Sequence, residues 1–171
     1  MNRRQFLYAS SAVVFAGATG AGLVRMTRPA ADLDALLGEL SALDPATLRF
    51  RGKWSAFTVL SHLAQSIEYS MTGYPALKPA WFRHTVGPVA LAAFETAGAM
   101  RHNLAEPIPG APGLAATGNV AEALERLLTA LTTFREWQAP LQPHFAYGTL
   151  SREDYAAAHL MHIRNHLQEL G

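Results

Sequence analysis

The sequence predicts an all-α protein: a four-helix bundle in up-down-down-up order, with a long crossover that carries a short extra helix. Three observations predict it. Half of the residues are apolar and Ala and Leu are frequent, a composition that favours helix. Four stretches repeat apolar residues at spacings of three and four, bounded by capping residues, Pro or Gly. The second and third stretches are separated by the 47 residues 73–119. A connection of that length lets those two helices run parallel and leaves the second and fourth antiparallel. No alternating strand pattern, internal repeat or low-complexity tract competes with this reading, and 171 residues favour one domain with a real core.

The first 28 residues read as an address and not as fold. Asn2-Arg3-Arg4-Gln5-Phe6-Leu7 closely resembles a twin-arginine export signal, and an apolar, Ala/Gly-rich run over 9–24 follows, then Arg25 and Arg28. The same run also suits a short N-terminal anchor, since it lacks a clean small-x-small cleavage site. The expected organisation is a signal or anchor over 1–28 and a bundle domain over 32–171. The expected location is periplasmic or exported, with the twin-arginine export machinery as a partner. Without those four arginines the domain keeps 10 basic residues against 13 acidic ones, so its net charge is about −3 and nucleic-acid binding is not expected. The chain has no Cys, so disulfides, thiolate metal sites and cysteine nucleophiles are excluded together.

The first helix is expected over Asp32–Leu43, with Leu33, Leu36, Leu37 and Leu40 on one face and Asp44-Pro45 ending it. An extended stretch, Leu48–Lys53, leads to Trp54. The second helix starts at Ser55 and runs to about Thr72, with Phe57, Leu60, Ala64, Ile67 and Met71 as its stripe and Gly73 and Pro75 beyond its end. Within the crossover, Pro88 suits the first turn of a short helix reaching about Ala99, and residues 101–113 lack any helical period. The third bundle helix begins at a cap made by Asn119 and Glu122, and Val120, Leu124, Leu127, Leu131 and Phe134 form its seam.

The fourth helix carries the chemistry. Ser151 and Asp154 make a capping-box-like start, and nothing breaks the helical pattern as far as Leu170. His159, His162 and His166 fall within an arc of roughly 60° beside the apolar face of Tyr155, Ile163, Leu167 and Leu170, so these rings are expected at the edge of a core. His162 and His166 are spaced i, i+4, which lets two imidazoles reach one metal ion. A third ligand has to come from His62, His84, His102, His144 or His159. His62 lies roughly 9 Å into the second helix, and the midpoint of His162 and His166 lies roughly 9 Å from the end of the fourth. In an antiparallel pair with flush ends the levels match, which singles out His62. It projects away from its helix's apolar stripe, toward Val59, Ser66 and Tyr69, and so should face a pocket beside the bundle seam. The competing reading is a set of partly exposed histidines, each bonded to a neighbour.

The order Trp54-Ser55, His62-Leu63-Ala64, a long crossover, His144-Phe-Ala-Tyr-Gly148 and His162-Ile-Arg-Asn-His166-Leu167 resembles the DinB/YfiT-like superfamily. More closely, it resembles a DinB-related family of unassigned function, with a His-x-x-x-Gly turn before a His-x-x-x-His-His-Leu type helix. The resemblance covers about Leu33–Leu170. It implies an up-down-down-up bundle and one divalent metal held by His62, His162 and His166. This chain has Asn165-His166 where relatives carry a double His, so only His166 carries over there. His159 has no counterpart; it reads as a polar edge residue, a substitute ligand or a donor behind the ligands. His102 and His144 read either as the pocket mouth or as loop-fixing groups. Characterised members of the superfamily are thiol-dependent transferases and isomerases.

Three imidazoles suit Zn, Ni or Fe, and also Cu, and such an ion lowers the pKa of bound water or orients a thiolate or carbonyl. The expected function is therefore metal binding with chemistry on a small molecule, as a metal-dependent hydrolase or a thiol-dependent transferase or isomerase. Its alternative is a non-catalytic exported bundle that binds a ligand, metal or partner. A homodimer is compatible with either. Candidates for a general acid or base are His159, His102, His144 and Tyr69. There is no His-Glu-x-x-His for a zincin protease, no paired Glu-x-x-His for a di-iron site and no Cys-x-x-Cys-His for covalent haem. Glu68 and Glu95 read as solvent-face residues.

Overall fold

Helix α1, residues 32–41, buries Leu33, Leu36 and Leu40 as its spacing requires. The computed structural model describes residues 32–171; the signal or anchor expected over 1–28 lies outside the described residues. Within them the chain is all-helical, with six helices and only isolated β-bridges. α1 stops short of Leu43 because the Asp44 carboxylate accepts the Ala46 N–H at 3.0 Å, a local turn that competes with further helix. The chain then extends, and Phe50 bridges antiparallel to Leu170. Arg51 N donates to Glu169 O at 2.7 Å and Gly171 N to Arg49 O at 2.9 Å. This pairing takes Leu170 out of the last helix, where the sequence pattern had put it.

α2 spans Ala56–Thr72, and Ser55 accepts from Thr58 N at 3.2 Å as its N-cap. The expected stripe is buried at Leu60, Ala64, Ile67 and Met71, with Phe57 partly so, but Val59, His62, Leu63, Ser66 and Ser70 are buried too. α2 is therefore covered on nearly every side, which a single stripe does not anticipate. α5, Val120–Glu136, packs along it most extensively, with Leu124, Leu127, Leu131 and Phe134 inward. Asn119 Oδ1 accepts from Ala121 and Glu122 N–H, and its Nδ2 donates to Glu122 Oε1 at 2.9 Å, giving the expected cap.

α6, Arg152–Leu167, is capped by Ser151, which accepts from Asp154 N at 3.1 Å. The guanidinium of Arg152 donates to the carbonyls of Phe134 and Trp137, which places a cation on the C-terminal end of α5. One apolar core joins residues of α1, α2, α5 and α6, among them Leu36, Leu60, Leu127 and Ile163.

The crossover builds a second layer. α3, Ala80–His84, was not foreseen: it buries none of its residues and so leaves no amphipathic signal. α4, Val86–Ala97, carries Pro88 in its first turn and ends at Gly98, whose φ of 65° is left-handed. Leu91 of α4 and Met100 pack on Ala158 and Met161 of α6 in a smaller cluster.

The crossover is clamped to the 144–148 turn by close backbone approach. A Cβ on Gly87 would lie 2.0 Å from Ala146 O. One on Gly148, at φ +78°, would lie 2.8 Å from Arg83 O. Lys78 N donates to Phe145 O at 2.8 Å. Gly87→Ala should therefore cost about 1–3 kcal/mol by overpacking against backbone that cannot rotate away. Urea unfolding at neutral pH measures it, and an unchanged midpoint would contradict the clamp.

Candidate metal centre

His62 on α2 and His162 and His166 on α6 meet between the two helices. His62 leaves the face opposite the Leu60/Ala64/Ile67 stripe, as its position on the helix dictates. That face is not an edge: His62 is 3% exposed and His166 0%. Of the three rings only His162 keeps partial exposure, because the crossover layer covers this side of α2 and α6.

The Nε2 atoms of His62 and His162 are 3.3 Å apart, and one ring nitrogen from each of the three residues lies within 4.8 Å of the others. Two nitrogens on one tetrahedral ion at about 2.1 Å would be about 3.4 Å apart. The first pair meets that figure; the triangle as a whole is looser than the 3–4 Å a bound ion requires. Ring centres are 5.2 Å apart for His62–His162, 5.3 Å for His62–His166 and 5.0 Å for His162–His166.

A hydrogen bond between the two Nε2 atoms would satisfy one pair and no more. His62 Nδ1 and both nitrogens of His166 are buried without a hydrogen-bond partner. Each such group costs about 1–3 kcal/mol when left unpaired. An ion bound by one nitrogen of each ring removes part of that cost, so the donor set fits a divalent metal. Behind it, His162 Nδ1 stands 3.5 Å from Ser66 Oγ, a long contact that leaves Nε2 facing His62. Trp54 forms a wall, edge-on to His62 at 5.0 Å and parallel to His166 at 6.3 Å.

The electrostatics favour neutral rings. Burial, then the charge of His102, lowers His62 to about 4. Burial, then His62 and His102, lowers His166 to about 3. Burial pushes His162 well down as well, helped by its histidine neighbours. At neutral pH all three present lone pairs, the form that binds metal.

The other histidines separate by role. His159 is buried beside Phe134 and Tyr155, and its Nε2 lies 3.2 Å from Ser70 Oγ. Ser70 spends its own proton on Ile67 O at 2.6 Å, so His159 Nε2–H must donate. His159 is thus a core polar residue and not a ligand. His144 Nδ1 accepts from the N–H groups of Ala146 and Tyr147 at 3.1 and 3.2 Å and stacks on Tyr147 at 4.3 Å, so it fixes the turn. His84 is exposed at the end of α3. His102 stands apart: from an irregular loop, its ring lies 5.0 Å from His162 and 5.5 Å from His166.

A cavity of about 260 Å³ opens beside His62 and His162, with Phe82, Phe94, Met100 and Ile108 among its apolar walls. Lys78 and Glu106, which the sequence pattern did not single out, also line it. Only the crossover's folding brings them there, and no spacing encodes that. A shallower groove of about 350 Å³ along α2 and α5 contains no histidine and carries the Glu68–Arg126 ion pair, at 2.6 Å. Glu68 is thus the surface residue its position suggests. Tyr69 OH accepts from Gln65 at 3.5 Å and does not line the cavity. Of the three histidines among the acid–base candidates, His102 alone keeps a ring that neither a turn nor the core claims.

Burial lowers both His144 and His159 to about 3, with the charge of His159 adding to the effect on His144. Their unfolded values lie near 6.5, so the unfolded chain binds more protons between those limits. Stability is full above about pH 6.5 and is lost as pH falls toward 3, at about 1.4 kcal/mol per pH unit for each ring. His159→Phe should flatten this loss between pH 6.5 and 4.5 in urea titrations; an unchanged pH dependence would contradict the burial of a neutral ring.

No curated protein and no solved structure is significantly similar to this chain. A family match covers residues 25–171, nearly the whole sequence, so the chain belongs to the family described as protein of unknown function DUF1569.

Proposed function

We propose that this protein is an exported, metal-binding member of the DinB/YfiT-like superfamily that acts on a small molecule beside His62, His162 and His166. The carrying observation is the convergence of these rings with three buried, partnerless nitrogens among them. The bundle reading, in up-down-down-up order, is supported by a core shared by α1, α2, α5 and α6 and by the crossover between α2 and α5. Export is supported by Arg3-Arg4-Gln5-Phe6-Leu7 and the apolar run behind it.

A divalent ion here would act as a Lewis acid toward a water, thiol or carbonyl group at its open position. The chain's own contribution is orientation and exclusion of water. His162 and His166 are one helical turn apart on α6, and α2 sets His62 opposite them. Phe94, Met100 and Ile108 keep the approach apolar, while Lys78 offers the lining a cation. At about 260 Å³ the cavity falls below the range of about 300–1,000 Å³ usual for drug-sized ligands, so the substrate is small.

The alternative is a non-catalytic bundle that binds a ligand, a metal or a partner in the same pocket. It is favoured by one observation: His144 and His159 are committed to structural hydrogen bonds and provide no mobile proton.

Protein purified without an affinity tag should carry one divalent ion per chain by elemental analysis. His62→Ala should lose it and His159→Ala should retain it; absence of stoichiometric metal in the parent would defeat the metal in both readings and leave only a bundle that binds another ligand or a partner. For export, a reporter fused after residue 31 should reach the periplasm, and Arg3→Lys with Arg4→Lys should hold it in the cytoplasm. Equal export of both forms would refute the twin-arginine route.

A further inference from the structure

We infer that His102 is a displaceable fourth ligand, which closes the metal position when the pocket is empty and leaves it when a substrate binds. This rests on the three-histidine metal site proposed above. Four imidazoles around one ion have a characteristic spacing. With metal–nitrogen bonds of about 2.1 Å, each ring centre lies about 3.2 Å from the ion, so tetrahedral neighbours are about 5.2 Å apart and right-angle neighbours about 4.5 Å. The three helix-borne rings are separated by 5.0–5.3 Å, and His102 stands at 5.0 Å from His162 and 5.5 Å from His166. Toward those two rings its spacing is that of a neighbouring corner.

Two features make this ligand unlike the others. His62 and His166 are buried on helices, whereas His102 is exposed on the irregular segment between α4 and α5. It is not one of the three residues whose nitrogens converge, so its ring would turn to engage an ion. Asn165 marks where it would turn. Its amide lies within reach of the His102 ring, yet its buried Oδ1 makes no hydrogen bond. A small rotation of the His102 ring would give Oδ1 one N–H and direct the other nitrogen inward, the arrangement that orients metal-bound imidazoles. His102 belongs to the crossover, which also forms the pocket wall at Met100 and Ile108. A ligand on that wall links metal access to movement of the loop.

The test uses the untagged protein loaded with cobalt(II), read by X-ray absorption and visible spectra, with azide as the probe. The parent should show four imidazoles per ion, and His102→Ala three imidazoles with one lighter oxygen donor. Azide should bind His102→Ala at least about tenfold more tightly, because it no longer competes with an internal ligand. His102→Gln, which keeps loop polarity, should behave as His102→Ala, and circular dichroism checks the fold of both. A parent with three imidazoles, and azide affinity equal in all three proteins, would overturn the role of His102 while leaving the three-histidine site standing. Failure of the parent to bind cobalt would overturn both.

Discussion

His166 is completely buried with neither ring nitrogen hydrogen-bonded, and His62 buries Nδ1 in the same condition. Interiors rarely tolerate such groups, because each forfeits its bonds to water and receives nothing in exchange. The arrangement becomes intelligible when the nitrogens face one another and a cation can sit among them. Much of the rest of the structure follows from that requirement. α2 must be covered on its histidine side as well as its leucine side, and α6 must bury polar residues on a face that a simple bundle would leave to solvent.

The crossover supplies that cover. It is joined to the bundle where backbone meets backbone, at Gly87 against Ala146 and at Gly148 against Arg83, positions with no room for a side chain. His144 holds the intervening turn by accepting two backbone N–H groups, and at the far end of the loop Ser55 Oγ donates to Ala116 O at 2.7 Å. The segment carrying His102 therefore spans two fixed points and has no regular structure of its own. That combination suits a wall that can move without unfolding the helices that hold the other three rings.

The helices themselves were legible because their apolar spacing and caps obey local rules. Ser55, Asn119 and Ser151 each start the helix they were expected to start. The ends were less legible: Leu170 fits the helical period of α6, yet it pairs with Phe50, a partner remote in sequence. The level of His62 against His162 and His166 could be read from helix geometry, which is why those three were nominated together. What could not be read was coverage. α3 buries nothing and leaves no period, and α4 shields the histidines through contacts that no spacing records. His159 shares the angular position of His162 and His166, but its nitrogen is taken by Ser70, a residue 89 positions away. His102 is legible in the sequence only as one of several ligand, acid–base or pocket-mouth candidates, since its approach to His162 depends on the whole crossover.

The central claim is that one ion lies among His62, His162 and His166. Anomalous diffraction from crystals of untagged protein, recorded across the absorption edge of the bound element, tests it most directly. The account predicts a single anomalous peak about 2.1 Å from one nitrogen of each ring. Rings hydrogen-bonded to one another or to buried water, with the peak absent or elsewhere in the molecule, would contradict it.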